Sequence, residues 1–218
     1  MSVAVNFFSV IVRSLLLSWL LLCTIPSLAG GMPAADALRQ RLSGLDSLSA
    51  SFEQTLYDAE DEVLQQARGS MLAARPGRVR WQTDAPLEQL IVSDSRTLWL
   101  YDPDLEQVTV RPFQKDLSKT PAILFIGDLA ALEESYDVTL DEGQETRFTL
   151  TPVSGDSLYA NVMLVFDGKT PVGMTLWDSL GQRTVIRFEG VQLNPEWQPG
   201  EFAFEPPAGV DVIGSSDG

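Results

Sequence analysis

From Leu48 onward, apolar and polar residues alternate in short runs separated by turn residues. Period two is the mark of a strand buried on one face. The runs Leu48–Tyr57, Val63–Ala73, Arg78–Thr83, Gln89–Ser93, Thr97–Tyr101 and Gln107–Arg111 are predicted strands, broken at Asp58–Glu62, Asp84-Ala85-Pro86, Asp94-Ser95-Arg96 and Asp102-Pro103-Asp104. Five more follow at Tyr136–Leu140, Glu145–Thr151, Leu158–Phe166, Val172–Trp177 and Arg183–Glu189. Hairpin-length breaks predict a mainly β chain of about eleven strands, in an antiparallel sheet that curls rather than a doubly wound parallel one.

The pattern changes at three places. Leu38, Leu42 and Leu45 recur at helical spacing between Pro33 and Leu45, and Gly44 stands where a left-handed cap would end that helix. Between the two sets of strands, Thr120-Pro121 predicts a helix start and Gly127 its stop, with Ala122-Ile123-Leu124-Phe125-Ile126 apolar on every side. Asp128 could cap a second short helix through Leu132 to Glu134. A short helix apolar all round must be covered on both faces, as a buried connector or as a lid over a cavity. Near the end, the prolines of Phe202-Ala203-Phe204-Glu205-Pro206-Pro207 suit a sheet edge.

One stretch combines strand pattern with a fixed cation. In Arg75-Pro76-Gly77-Arg78-Val79-Arg80-Trp81, a strand puts Val79 and Trp81 on one face and Arg78 and Arg80 on the other. Pro76 steers Arg75 away from helix, which leaves an arginine at the rim of an apolar face.

The first residues are not expected in the core. Arg13 precedes the apolar run Leu15–Leu22, followed by Pro26 and by Ser27-Leu28-Ala29, small residues at the positions a signal peptidase reads. Residues 1–29 are therefore read as a secretory signal peptide, 30–213 as a single domain and 214–218 as a flexible tail. The lone cysteine, Cys23, lies in that signal behind Leu22, which is too large for the residue preceding a lipidated cysteine. The mature chain would hold neither cysteine nor histidine. It would then have no disulfide, no thiolate or imidazole chemistry and no soft-metal site, and no cofactor is implied.

Thirty acidic residues against fifteen basic ones give a formal charge of −15, which opposes binding to nucleic acid or to an anionic membrane. The mean hydropathy is nevertheless +0.03. Apolar surface must be hidden in a core or held in a cavity. Carboxylate pairs such as Glu133 with Glu134 and Asp102 with Asp104 could serve a glycan-cleaving enzyme, but nothing in the pattern places a pair in a cleft. The stronger signal is aromatic: Trp81, Trp99, Tyr101, Phe125, Phe148, Phe166, Trp177 and Phe188 fall on predicted strands or on the apolar helix. Core packing and a ring-lined pocket both account for them; with the apolar helix they favour a hydrophobic cavity.

The run Arg75–Trp81, the stretch Asp94 to Val108, Thr120-Pro121-Ala122-Ile123-Leu124 and the closing Phe202-Ala203-Phe204 with Pro207 and Gly209 resemble, in that order, the periplasmic outer-membrane lipoprotein carrier family LolA. Two turns depart from its pattern: Asp94-Ser95 stands where Asp-Gly is usual, and the first hairpin turn lacks a glycine. The resemblance implies an incomplete, half-open antiparallel β-barrel covered by a helical lid. It implies a monomeric carrier that holds lipoprotein acyl chains between an inner-membrane ABC exporter and an outer-membrane receptor. It further implies that Arg75 latches the lid at 121–126 through its backbone. Leu42, Val79, Trp81, Trp99, Leu124 and Phe125 are the expected acyl-chain cavity. The receptor itself, or another half-barrel lipid-binding protein, is the rival on the same fold; a glycan-acting periplasmic enzyme is the rival of another class.

Overall fold

The structure, a computed structural model, describes residues 33–113, 125, 132, 134–143, 146–155 and 157–214. The expected signal peptide, the helix start at Thr120-Pro121, Leu124, Gly127, Asp128, Glu133 and residues 215–218 lie outside them. Helix α1 (Ala34–Leu42) is followed by β1 (Ser47–Tyr57), β2 (Val63–Ala74), β3 (Arg78–Thr83), β4 (Gln89–Asp94), β5 (Thr97–Asp102) and β6 (Gln107–Pro112). After the gap come β7 (Tyr136–Glu142), β8 (Thr146–Pro152), β9 (Tyr159–Asp167), β10 (Thr170–Asp178), β11 (Arg183–Leu193), a 3-10 turn at Pro199–Phe202, and β12 (Asp211–Gly214).

The strands form one sheet in the order β12-β6-β5-β4-β3-β2-β1-β11-β10-β9-β8-β7. Every pairing is antiparallel except that of β12 with β6. Since β7 and β12 are the two ends, the sheet is open, an incomplete barrel as expected. The eleven predicted strands match to within a few residues at their ends. The twelfth, β12, was not foreseen: four residues carry no alternation, and Gly214, expected to open the tail, is its last residue.

The inner face carries the core. Leu48, Ala50 and Phe52 of β1, Met71 and Ala73 of β2, Val79 of β3, Phe148 and Leu150 of β8, Val162, Leu164 and Phe166 of β9, Met174 of β10, and Ile186 and Phe188 of β11 are all buried. Alternation puts them on one side of the sheet. Leu38, Leu42 and Leu45 face them, so the helical stripe packs on the sheet. Fully burying one such side chain contributes about 1.5–3 kcal/mol. Helix α1 ends earlier than Leu45, and Gly44 is not its left-handed cap. Ser43 remains right-handed, with its Oγ donating to Gln40 O at 3.0 Å, and this keeps the chain turning until Leu45 is buried. Asn194 ties this corner to the end of β11: its Oδ1 accepts from Asp46 N (2.8 Å) and Ser47 N (3.2 Å), and its Nδ2 donates to Gly44 O (2.8 Å).

Gly69 explains one inner-face contact. It sits opposite Phe52 on β1 and opposite Thr83 on β3, and a Cβ here would lie 1.9 Å from Gln82 O and 2.8 Å from Phe52 Cζ. With no side chain in the way, the Phe52 ring crosses β2 and stacks on Trp81, centroids 4.2 Å apart.

The two turns that depart from the family pattern form without glycine. Ser95 takes φ +84° while Asp94 Oδ1 accepts from Arg96 N and Thr97 N, each at 2.8 Å. In the first hairpin, Asp61 takes φ +66° while Asp58 Oδ1 accepts from Glu60 N (3.0 Å) and Glu62 N (2.8 Å). A short carboxylate supplies the local bonds that make these backbones tolerable.

The outer face is not simply solvated. The expectation of a sheet-edge terminus at Phe202–Pro207 is corrected: the segment 194–210 crosses the outer face of β3–β5 before β12 joins β6. Arg78 lies over the Trp197 ring at 5.2 Å, Arg80 Nη1 donates to Glu201 O at 3.5 Å, and Phe204 packs against Trp99 and Tyr101. Among the described residues no helix is long and apolar enough to cross a membrane.

Candidate functional site

Curling the sheet leaves a cavity of about 960 Å³ on its inner side, near the upper end of the ~300–1,000 Å³ usual for ligand sites. Its floor is a cross-strand row: Trp81 is paired with Ile91, and Ile91 with Leu100. Val79, Ser93 and Leu98 form the next row, and Met174, Leu176 and Ile186 supply the facing wall. Polar side chains line both ends, with Gln54, Gln65, Glu88, Gln89, Asp102 and Asp104 toward one, where Leu87, Leu105 and Leu158 also stand, and Ser93 and Arg111 toward the other. Tyr159 lines the cavity as well; burial, and secondarily the negative charge of Asp178, push its phenol above the ordinary value of 10.0.

Arg75 sits at the opposite end, in the turn from β2 to β3. Its own N–H donates to Asp46 O at 2.8 Å. Its Nε donates to Leu45 O at 2.7 Å, and Nη2 reaches Leu42 O at 3.4 Å and Phe125 O at 3.2 Å. The planar fork thus serves carbonyls at the end of α1 and one in the stretch 121–126. Helix-end carbonyls lack intrahelical partners and carry partial negative charge, so a cation suits them. The Arg75–Pro76 bond is cis, and Gly77, at φ +67°, leaves room for Phe113, whose Cε1 would be 2.6 Å from a Cβ there. Ser93 Oγ donates to Gly77 O at 2.9 Å and Arg78 Nη1 to Arg75 O at 3.1 Å, which fix this turn.

Val79 and Trp81 line the cavity. Leu42 and Phe125 do not. Both are buried in the core between α1 and the sheet, Phe125 edge-on to Phe188 at 5.7 Å. Trp99 is on the wrong face: Leu98 and Leu100 point inward, so Trp99 and Tyr101 face outward onto Phe204. Ile91, Leu98, Leu100, Met174, Leu176 and Ile186 were missed. Extending the Val79/Trp81 face across the next two hairpins would have found three of them.

Of the acidic pairs weighed for catalysis, Asp102 and Asp104 reach the cavity rim, where Asp102 Oδ1 accepts from Leu105 N at 3.1 Å and so shapes its own turn. Among the described residues no group of three His, Cys, Asp or Glu side chains could hold a metal ion.

Comparison with known proteins supplies the relationship. The family model described as outer membrane lipoprotein carrier protein LolA matches residues 43–205. The outer-membrane lipoprotein carrier protein of Azotobacter vinelandii is 43% identical over 202 residues, covering 92% of this chain and 97% of the relative. That of Chromohalobacter salexigens is 42% identical over 180 residues, covering 82% and 86%. An uncharacterized conserved protein from Thermus thermophilus, 12% identical, superposes with a TM-score of 0.51 over 82% of this chain and 98% of its own, which speaks to the fold alone. With the family match spanning most of the described sheet and close relatives spanning nearly the whole chain, this protein belongs to the outer-membrane lipoprotein carrier family LolA.

Proposed function

We propose that the chain, exported to the periplasm by a signal peptide cut after Ala29, works as a monomer that takes lipoproteins from an inner-membrane ABC exporter and delivers them to an outer-membrane receptor. The observation that carries this reading is the apolar cavity between Trp81, Ile91, Leu100 and the Met174–Ile186 wall. At about 0.8 kcal/mol per methylene, a chain of about fifteen methylenes costs roughly 12 kcal/mol to expose to water. A cavity that replaces the bilayer removes most of that cost, and polar groups at one end leave the peptide part of the cargo in water. Arg75 acts as the latch. Its bond to Phe125 O is one modest interaction, about 1 kcal/mol net, so an entering acyl chain outweighs it and the lid region can yield. The role is binding and handover, with no chemical step.

Native mass spectrometry of the mature protein co-expressed with a lipoprotein tests the reading. A one-to-one complex is expected, lost when Ile91→Trp fills the cavity. Wild-type protein recovered without lipoprotein under conditions that preserve other lipid complexes overturns it.

A further inference from the structure

The inward residues of β1, β3 and β4 change chemistry on the same side of the cavity floor. Toward the hairpin turns that join β1 to β2 and β3 to β4, the next inward position after Trp81 is Thr83, after Ile91 it is Gln89, and after Phe52 it is Gln54. Thr83 and Gln89 are paired across β3 and β4. Gln54 is paired with Ala67, whose neighbour on the same face of β2 is Gly69, paired with Thr83. The strand between Gln54 and Thr83 therefore presents no bulk. All three polar residues line the cavity, and Tyr159 of β9 lines it as well.

These four side chains share a second property. Each carries a neutral N–H or O–H donor, and none of them hydrogen-bonds to another described residue. Among the described residues no buried side-chain nitrogen or oxygen lacks a partner, so these unengaged donors are not sealed in the core but open to the cavity they line. The other polar groups of the lining differ. Glu88, Asp102 and Asp104 offer acceptors when ionised, and Asp102 Oδ1 already accepts from Leu105 N. At the other end Ser93 Oγ donates to Gly77 O, and Arg111 is exposed.

Spare neutral donors beside an apolar floor suit a group that only accepts hydrogen bonds and is joined to a long alkyl chain. The ester and amide carbonyls at the heads of acyl chains are such groups. A carbonyl drawn to the edge of an apolar cavity gives up its water and weakens binding unless a protein donor replaces it. An anionic head would instead meet Glu88 and Asp102.

We infer that Gln54, Thr83, Gln89 and Tyr159 form a carbonyl-binding band that sets how far the cargo's acyl chains enter, by hydrogen-bonding the ester and amide groups at their heads; this rests on the carrier reading above. The methylenes beyond the head then lie on Trp81, Ile91 and Leu98. Burial of apolar area does not distinguish one linkage from another, so the band gives the cavity a preference for acyl over alkyl chains that its apolar wall lacks.

The test measures binding of two fluorescent lipopeptides to the full mature chain. They share peptide and chain length, with chains short enough to stay monomeric in water, and differ only in having ester-linked or ether-linked chains. Wild type is expected to bind the ester form about tenfold more tightly, the worth of one to two ordinary neutral hydrogen bonds. Gln54→Met/Gln89→Met keeps side-chain length and removes two donors, and should bring the ester-to-ether ratio to within about twofold. Thr83→Val removes one donor at nearly constant volume and should lower the ratio about threefold, which keeps the test decisive if the double variant fails to fold. A wild-type ratio within about twofold overturns the band alone. So does a wild-type ratio that survives in both variants, the result expected if these side chains are merely solvated. A ratio that survives in the band variants but collapses in Arg111→Met overturns it in favour of the opposite end. Wild type that binds neither lipopeptide overturns the carrier reading and this inference with it.

Discussion

Replacing Arg75 with leucine separates the two jobs of its guanidinium. The described bonds run to Leu45 O, Leu42 O and Phe125 O, the first two at and just past the end of α1 and the third in the stretch 121–126. At about 0.5–1.5 kcal/mol net each, losing all three costs roughly 2–4 kcal/mol, since leucine leaves partly buried carbonyls unpaired. For a chain of this size that lowers Tm by about 5–15 °C. Arg75→Leu is therefore not silent for folding, as a pure latch would be. Arg75→Lys keeps the charge near the α1 carbonyls but cannot fork, and should lose about half as much. Urea denaturation should show the midpoint moving at constant m-value, and hydrogen exchange should place the added opening in α1. In a reconstituted handover assay at a temperature where both variants are folded, Arg75→Leu should retain cargo uptake and impair release to the receptor. A stability loss under about 0.5 kcal/mol with unaltered handover would refute both halves of the reasoning.

Two further outcomes follow from single residues. Ser95 holds φ +84°, a backbone region that glycine adopts without strain, so Ser95→Gly should stabilise by about 0.5–1 kcal/mol, read as a rise in Tm with unchanged cargo binding. Tyr159 has its pKa raised first by burial and then by Asp178. Its neutral form is favoured in the folded state, so the stability it contributes is present below the unfolded value near 10.0 and is lost as pH rises through the higher folded value. Tyr159→Phe should flatten the alkaline fall in stability above pH 10; an unchanged alkaline limb would contradict this.

Strand positions were legible because β1, β3 and β8 to β11 each alternate, and β3 was read to its exact ends. The assignment of faces was not legible where both faces are covered. In Thr97-Leu98-Trp99-Leu100-Tyr101 no polar phase marks the outside, because Leu98 and Leu100 line the cavity while Trp99 and Tyr101 meet Phe204. The pattern therefore could not say which parity faced inward. β12 escaped because its pairing to β6 runs through backbone groups, which four residues of sequence do not advertise. The role proposed for Arg75 rests on family resemblance. Its engagement with Leu42 O and Leu45 O depends on a corner, held by Asn194, that no local pattern reveals.

A wall made of one open sheet has no single hinge. Neighbouring strands tolerate twists from about 10° to 35°, so small adjustments at successive joints add up, and the sheet can coil more or less tightly like a scroll without breaking a ladder bond. The 194–210 strap limits that compliance locally. Its contacts through Trp197, Glu201 and Phe204 brace β3 and β5 from behind. The Trp81–Ile91–Leu100 floor is thus a braced side of the cavity, where any change in coiling must carry the strap with it.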